Sequence, residues 1–132
     1  MKKITVLIET GEDKTFNAFV KNEIPFGLLG EGITVKETIE DFLISYDEMR
    51  ELFADEKKDF PEYKFIFRYD IESFLTHYGQ IFTMSALENL TGINQKQLHH
   101  YKSGSKKPRE AQVKKIENAL HKLGSELIAV QL

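Results

Sequence analysis

The chain has 132 residues, 41% of them hydrophobic and 30% charged, which suits one globular domain or two small ones, since autonomous domains begin near roughly 55 to 65 residues. No apolar run approaches the ~20 residues needed to span a bilayer, and the absence of cysteine excludes disulfides, thiolate zinc sites and a cysteine nucleophile. The net charge of -3 hides an asymmetry: residues 1–70 carry 10 basic and 16 acidic side chains, net -6, while residues 71–132 carry 8 and 5, net +3. The two halves are expected to face different partners.

The opening MKKITVLIET has only a brief apolar run and no small-residue cleavage site, so it reads as a strand rather than a signal peptide. Together with the lack of cysteine this points to the cytoplasm. Ile4, Val6 and Ile8 alternate with Thr5, Leu7 and Glu9; after the turn-forming Gly11, Glu12 and Asp13, the run Phe16, Ala18, Val20 alternates again, which predicts a hairpin. Pro25, Gly27, Gly30 and Gly32 mark an irregular crossing with room for one short strand near Leu28 and Leu29. Thr34 with Glu37 forms a capping-box pattern, and Val35, Ile39, Phe42, Tyr46, Met49 and Phe53 follow in alternating steps of four and three. This spacing predicts a long amphipathic helix with an outer face rich in Glu and Asp. Phe65, Phe67 and Tyr69 alternate with Lys64, Ile66 and Arg68 as a further strand, so residues 1–70 read as a ββ(β)αβ domain.

Asp70 is placed to cap the next helix, and no flexible linker separates the two halves. Ile71, Phe74 and Leu75 supply a first helix, and Thr83 caps a second carrying Leu87 and Leu90 as its apolar stripe. Gly92 provides a residue tolerant of positive φ, Ile93 fills the corner, and Asn94 caps a further helix with Gln97 as its capping-box partner and Leu98 and Tyr101 facing inward. This leaves Gln95, Lys96, His99, His100 and Ser103 outward, a polar set suited to a major groove. Pro108 stands where a first-turn proline is welcome, Val113, Ile116, Leu120 and Leu123 form a stripe, and Gly124 offers a stop. The closing ELIAVQL is β-prone and apolar, and is expected to be a strand needing a partner. The fold class is therefore α+β: a sheet-and-helix domain over 1–70, then an all-α helix-turn-helix domain over 71–132 with a C-terminal strand.

The segment LENLTGINQKQLHHYKSGSKKP resembles the helix-turn-helix of the Xre and phage-repressor family over residues 82 to about 123. Carried over by position, the resemblance makes Gln95, Lys96 and His100 readers of base edges, with His99 close by. Thr83, Lys102, Ser103, Lys106 and Lys107 become phosphate contacts. The basic run from Lys96 to Lys115, opposed only by Glu110, suits such a role. At Glu88 the chain departs from the family, which has a small residue there so that the two helices can approach. A carboxylate at that point must tilt outward or find a partner such as Lys96 or a hydroxyl, since burying it unpaired is costly.

EIPFGLLGEGITVKETIEDF, set in a ββ(β)αβ order, resembles the HicB antitoxin family, with Ile24, Pro25, Glu31, Gly32, Thr34 and Glu37 matching its pattern. Pro25, Phe26 and Gly27 replace the family's Pro-Gly-Cys. A HicB-like unit followed by an Xre-like unit is a known pairing in that family. The resemblance implies a partial RNase H-like fold and an antitoxin that blocks a HicA-like RNA-cleaving toxin and represses its own operon. The partners implied are a double-stranded DNA operator and the toxin, with a homodimer or higher even oligomer of the chain itself, and no membrane. Dimerisation follows from half-site geometry, and Leu127, Ile128 and Val130 in ELIAVQL are the candidate seam.

No enzyme, cofactor or metal is expected. The inward strand sets, Ile4, Val6, Ile8 and Phe16, Ala18, Val20, hold no carboxylate pair for two metal ions. His99 and His100 are consecutive, about 100° apart on a helix, and cannot share a metal as an i, i+4 pair does. His77 and His121 are isolated, and the glycines of GLLGEG lack the pattern of a phosphate loop. The alternative reading is a stand-alone Xre-type transcriptional regulator whose N-terminal domain binds a ligand or another protein.

Overall fold

A computed structural model describes residues 1–11 and 13–132. Glu12, expected in the hairpin turn, lies outside the described residues. The chain divides into two compact units, Met1–Asp70 and Ile71–Leu132, each with its own apolar core.

In the first unit, β1 (Lys2–Thr10) and β2 (Phe16–Val20) form the hairpin, followed by β3 (Leu29–Gly32), α1 (Val35–Asp55) and β4 (Tyr63–Tyr69). The four-stranded sheet has the order β3-β2-β1-β4. The pairs β1–β2 and β2–β3 are antiparallel, whereas β4 runs parallel to β1, with Ile4 beside Phe65 and Ile8 beside Tyr69. A parallel neighbour requires a crossover connection, and α1 supplies it. Alternation decides which side chains point inward: Ile4, Val6, Ile8, Phe16 and Ala18 are buried. Phe42 and Tyr46 of α1 bury against the same face, each with its ring edge-on to Phe65.

The short third strand depends on a glycine. A Cβ on Gly30 would stand 2.5 Å from the Thr38 carbonyl oxygen and 2.8 Å from the Phe42 nitrogen, so only a bare backbone lets α1 lie this close. The residue that weakens a strand on propensity thus permits the helix to dock on it. Acidic side chains of α1 hold β3 in turn. Thr34 accepts from the Glu37 amide at 3.1 Å, while Glu37 Oε2 accepts from Ile33 N at 3.1 Å instead of closing a reciprocal box, and Asp41 Oδ2 accepts from Glu31 N at 2.9 Å. Occupying the Glu31 amide of the edge strand also blunts it as a template for further pairing. At the far end of α1, Arg50 pairs with Glu62 and lies over the Tyr46 and Phe60 rings.

The second unit contains α2 (Ile71–Tyr78), α3 (Met84–Thr91), α4 (Gln95–Ser103) and α5 (Glu110–Ile128). Leu75, Leu87, Ile93, Leu98, Tyr101 and Ile116 are its buried core. Leu90 departs from the expected stripe and stands exposed, so α3 is anchored by the buried Leu87 and Thr91, with Met84 packed beside them.

The largest correction concerns the terminus. ELIAVQL is not a strand: α5 runs through Gly124 to Ile128 and is followed by a turn at Ala129. Among the described residues the second unit contains no strand to receive it, whereas a helix satisfies its backbone hydrogen bonds internally. One internal glycine costs only about 1 kcal/mol, too little to end a run whose neighbours Leu123, Glu126 and Leu127 are good helix formers. Pro108 likewise precedes the first turn, standing one residue before the cap position at Arg109. The fold is α+β, a mixed four-stranded sheet with one long helix, then four helices. Among the described residues no helix is long and apolar enough to cross a membrane.

Candidate nucleic-acid interface

α3 and α4 meet through a turn closed on both sides. Thr83 caps α3 by accepting from the Ala86 amide at 3.0 Å, and Gly92, at φ 76°, ends it with its amide donating to Glu88 O at 2.8 Å. Inside the turn the Thr91 hydroxyl donates to Leu87 O at 2.6 Å and accepts from Ile93 N at 3.1 Å, which fixes Ile93 as the buried corner. Asn94 then caps α4, accepting from Lys96 N at 2.7 Å. Gln97 does not complete a capping box. Its amide donates to the Tyr101 hydroxyl at 3.0 Å, because Tyr101 is buried and its oxygen needs a partner.

The expected base readers project from one stretch of α4. Gln95, Lys96 and His99 are exposed, and His100 is half-buried. Two of them are already engaged. Gln95 Nε2 donates to Glu88 Oε2 at 2.8 Å, so the carboxylate finds its partner in Gln95 rather than in Lys96 or a hydroxyl. His100 Nδ1 stands 3.0 Å from Ser105 Oγ.

The expected phosphate contacts are placed differently from one another. Thr83, Ser103, Lys106 and Lys107 are exposed. Lys102 is half-buried, and its Nζ lies 3.3 Å from where a Cβ on Gly79 would stand, just past the end of α2. Ser103 Oγ turns back to His100 O at 3.2 Å and Ser105 Oγ at 3.1 Å, while Lys106 N donates to His100 O at 3.3 Å. The linker after α4 is thereby tied to the helix, and its two lysines are presented from a defined backbone.

Sequence reasoning took Gln97 only as a cap partner and Arg109 only as part of the basic run, and passed over Gln112. With Tyr101, Lys106 and Lys107 they line a polar cleft of about 630 Å³. A second cleft of about 320 Å³, lined by Asn94, Lys96, Gln97, His100 and Lys106, adjoins it through the shared Gln97 and Lys106. Arg109 sits at the cap position of α5 without a side-chain capping bond. A cation and open amides at a helix start suit a phosphate, and an arginine where an N-cap acceptor ordinarily stands was the signal in the sequence. Three lysines and an arginine around one furrow form a surface for a polyanion.

Leu127, Ile128 and Val130, the candidate seam, are 60%, 87% and 56% exposed. The first two lie in the last turn of α5 and the third follows it. Among the described residues no group of three or more His, Asp or Glu side chains is placed to hold a metal. No protein-family model, curated protein or solved structure matches this chain.

Proposed function

We propose that the chain is a DNA-binding antitoxin of the HicA/HicB type that represses its own operon. The observation that carries the DNA-binding half is the turn-linked, doubly capped pair α3–α4, with Gln95, Lys96 and His99 exposed on the second helix beside the basic furrow. A helix of this kind enters a major groove with the residues of its first turns toward base edges, while Lys106, Lys107 and Arg109 take the backbone phosphates. Two copies read a palindrome, with recognition helices about 34 Å apart or a multiple of it.

The antitoxin half rests on the ββ(β)αβ order of the first unit, its HicB-like run from Glu23 to Phe42, and its acidity. In the partial RNase H-like reading, α1 covers one sheet face. Glu37 and Asp41 are occupied at β3 and Glu40 pairs with Lys36, and the exposed Glu48 and Glu51 remain to meet a basic, RNA-binding toxin. Such complementarity raises encounter rate and specificity more than affinity. The experiment is a gel shift of the full chain on the DNA upstream of its own reading frame, with and without the product of a neighbouring short basic reading frame. A specific shift supports the repressor, and a stoichiometric complex with the basic protein supports the antitoxin. A shift without any such partner leaves the stand-alone regulator.

A further inference from the structure

We propose that Glu88 is a positioning residue that fixes the amide of Gln95, so that α4 selects adenine over guanine at one base pair of each half-site. The proposal rests on the DNA-binding reading and deepens it. A glutamine amide carries one acceptor oxygen and two N–H donors. Left free, it rotates about its terminal bond and can offer an acceptor and a donor together, or two donors. Adenine presents a donor at N6 and an acceptor at N7, whereas guanine presents acceptors at both O6 and N7. A mobile glutamine therefore discriminates weakly between the two purines.

Glu88 removes that freedom. Its Oε2 lies 2.8 Å from Gln95 Nε2. A carboxylate only accepts, so the flipped amide would set Oε1 against it, two oxygens in contact with no proton between them. One orientation remains, with one N–H committed. What Gln95 can still offer is a single N–H and its carbonyl oxygen, the complement of adenine and not of guanine, which needs two donors.

Both backbones that carry the pair are anchored. The Glu88 carbonyl accepts from Gly92 N at 2.8 Å, and Gln95 is the first residue of α4, directly after the Asn94 cap. The side chains therefore start from fixed points, and binding DNA costs them less rotamer freedom. A packing role does not account for the residue, since close helix approach at that point asks for a small side chain and Glu88 is a half-buried carboxylate.

The test is selection from a randomised DNA library by the full chain and by Gln95→Ala, Glu88→Ala and Glu88→Gln. The wild-type chain should enrich adenine at one position per half-site, and Gln95→Ala should lose that enrichment. Glu88→Gln is the decisive variant. It keeps the volume and can hydrogen-bond Gln95, but its amide can donate as well as accept, so both orientations of Gln95 are satisfied. The adenine-to-guanine ratio should fall about fivefold or more, the lower range of one bidentate contact, while the melting temperature stays near wild type. Glu88→Ala should behave likewise if it folds. An unchanged ratio in Glu88→Gln overturns the positioning role and leaves DNA binding standing. Failure of the wild-type chain to enrich any sequence overturns the DNA-binding reading and this proposal with it.

Discussion

The Tyr46 hydroxyl joins α1 to the start of β4: it donates to the Pro61 carbonyl at 3.0 Å and accepts from the Tyr63 amide at 3.0 Å. Its ring meanwhile packs against Phe60 and Phe65. Tyr46→Phe keeps the ring contacts and strands two backbone groups in a partly buried site. It should destabilise the first unit by about 1–3 kcal/mol, measured as a lower urea midpoint with an unchanged slope.

The same residue makes stability sensitive to alkali. Burial, as the largest influence, pushes the Tyr46 hydroxyl above its ordinary 10.0, against the opposing hydrogen bond from Tyr63. The unfolded chain therefore releases this proton first. The contribution is full below pH about 10 and is lost as pH rises through the folded value. Urea midpoints across that range should fall more steeply for wild type than for Tyr46→Phe, and parallel curves would count against the coupling.

Gly30→Ala should damage the first unit and Gly27→Ala should not. The added methyl at Gly30 meets the backbone of α1 at 2.5 Å and 2.8 Å, whereas nothing stands within 4 Å of one at Gly27. Overpacking of this kind costs about 1–3 kcal/mol, against a change within about 0.5 kcal/mol at an unobstructed surface site. Thermal melts of the two variants provide the comparison.

Replacing Lys106 and Lys107 together by alanine should weaken binding to all DNA sequences alike. The plot of log affinity against log salt should flatten by about 0.9 for each phosphate no longer neutralised. Lys102, half-buried near Gly79, should contribute less to that slope. A Lys102→Ala effect as large as that of Lys106→Ala would move the phosphate path toward α2.

If the end of α5 is the seam between two copies, Leu127→Asp with Ile128→Asp should sediment as a monomer while helical content is retained. Both residues are highly exposed, so the folded unit tolerates the charges. A wild-type monomer, or a variant dimer of undiminished strength, would remove the seam.

Much of the fold is legible from neighbours along the chain. The period-two runs of Ile4 to Ile8 and Phe16 to Val20, the steps of four and three along α1, and the caps at Thr34, Thr83 and Asn94 each bring their signal within a few residues. Local backbone preference and one-sided burial suffice to read them. The terminal ELIAVQL shows where this fails: an apolar run suits a strand or a helix equally until a pairing partner is present or absent, and only the assembled helical unit decides.

The candidate interface divides in the same way. That α4 turns a polar face outward follows from its sequence period alone. That Glu88 grips Gln95 seven residues on, that Ser105 engages His100, and that Glu37 and Asp41 serve β3 rather than solvent do not follow from it. Outside the C-terminal segment, the sequence by itself determined which segments become strands and helices and where most of them are capped, because those preferences act between near neighbours. Only the tertiary structure decided which polar side chains are already committed to a partner, because a hydrogen bond depends on distance and angle between atoms that the fold alone brings together.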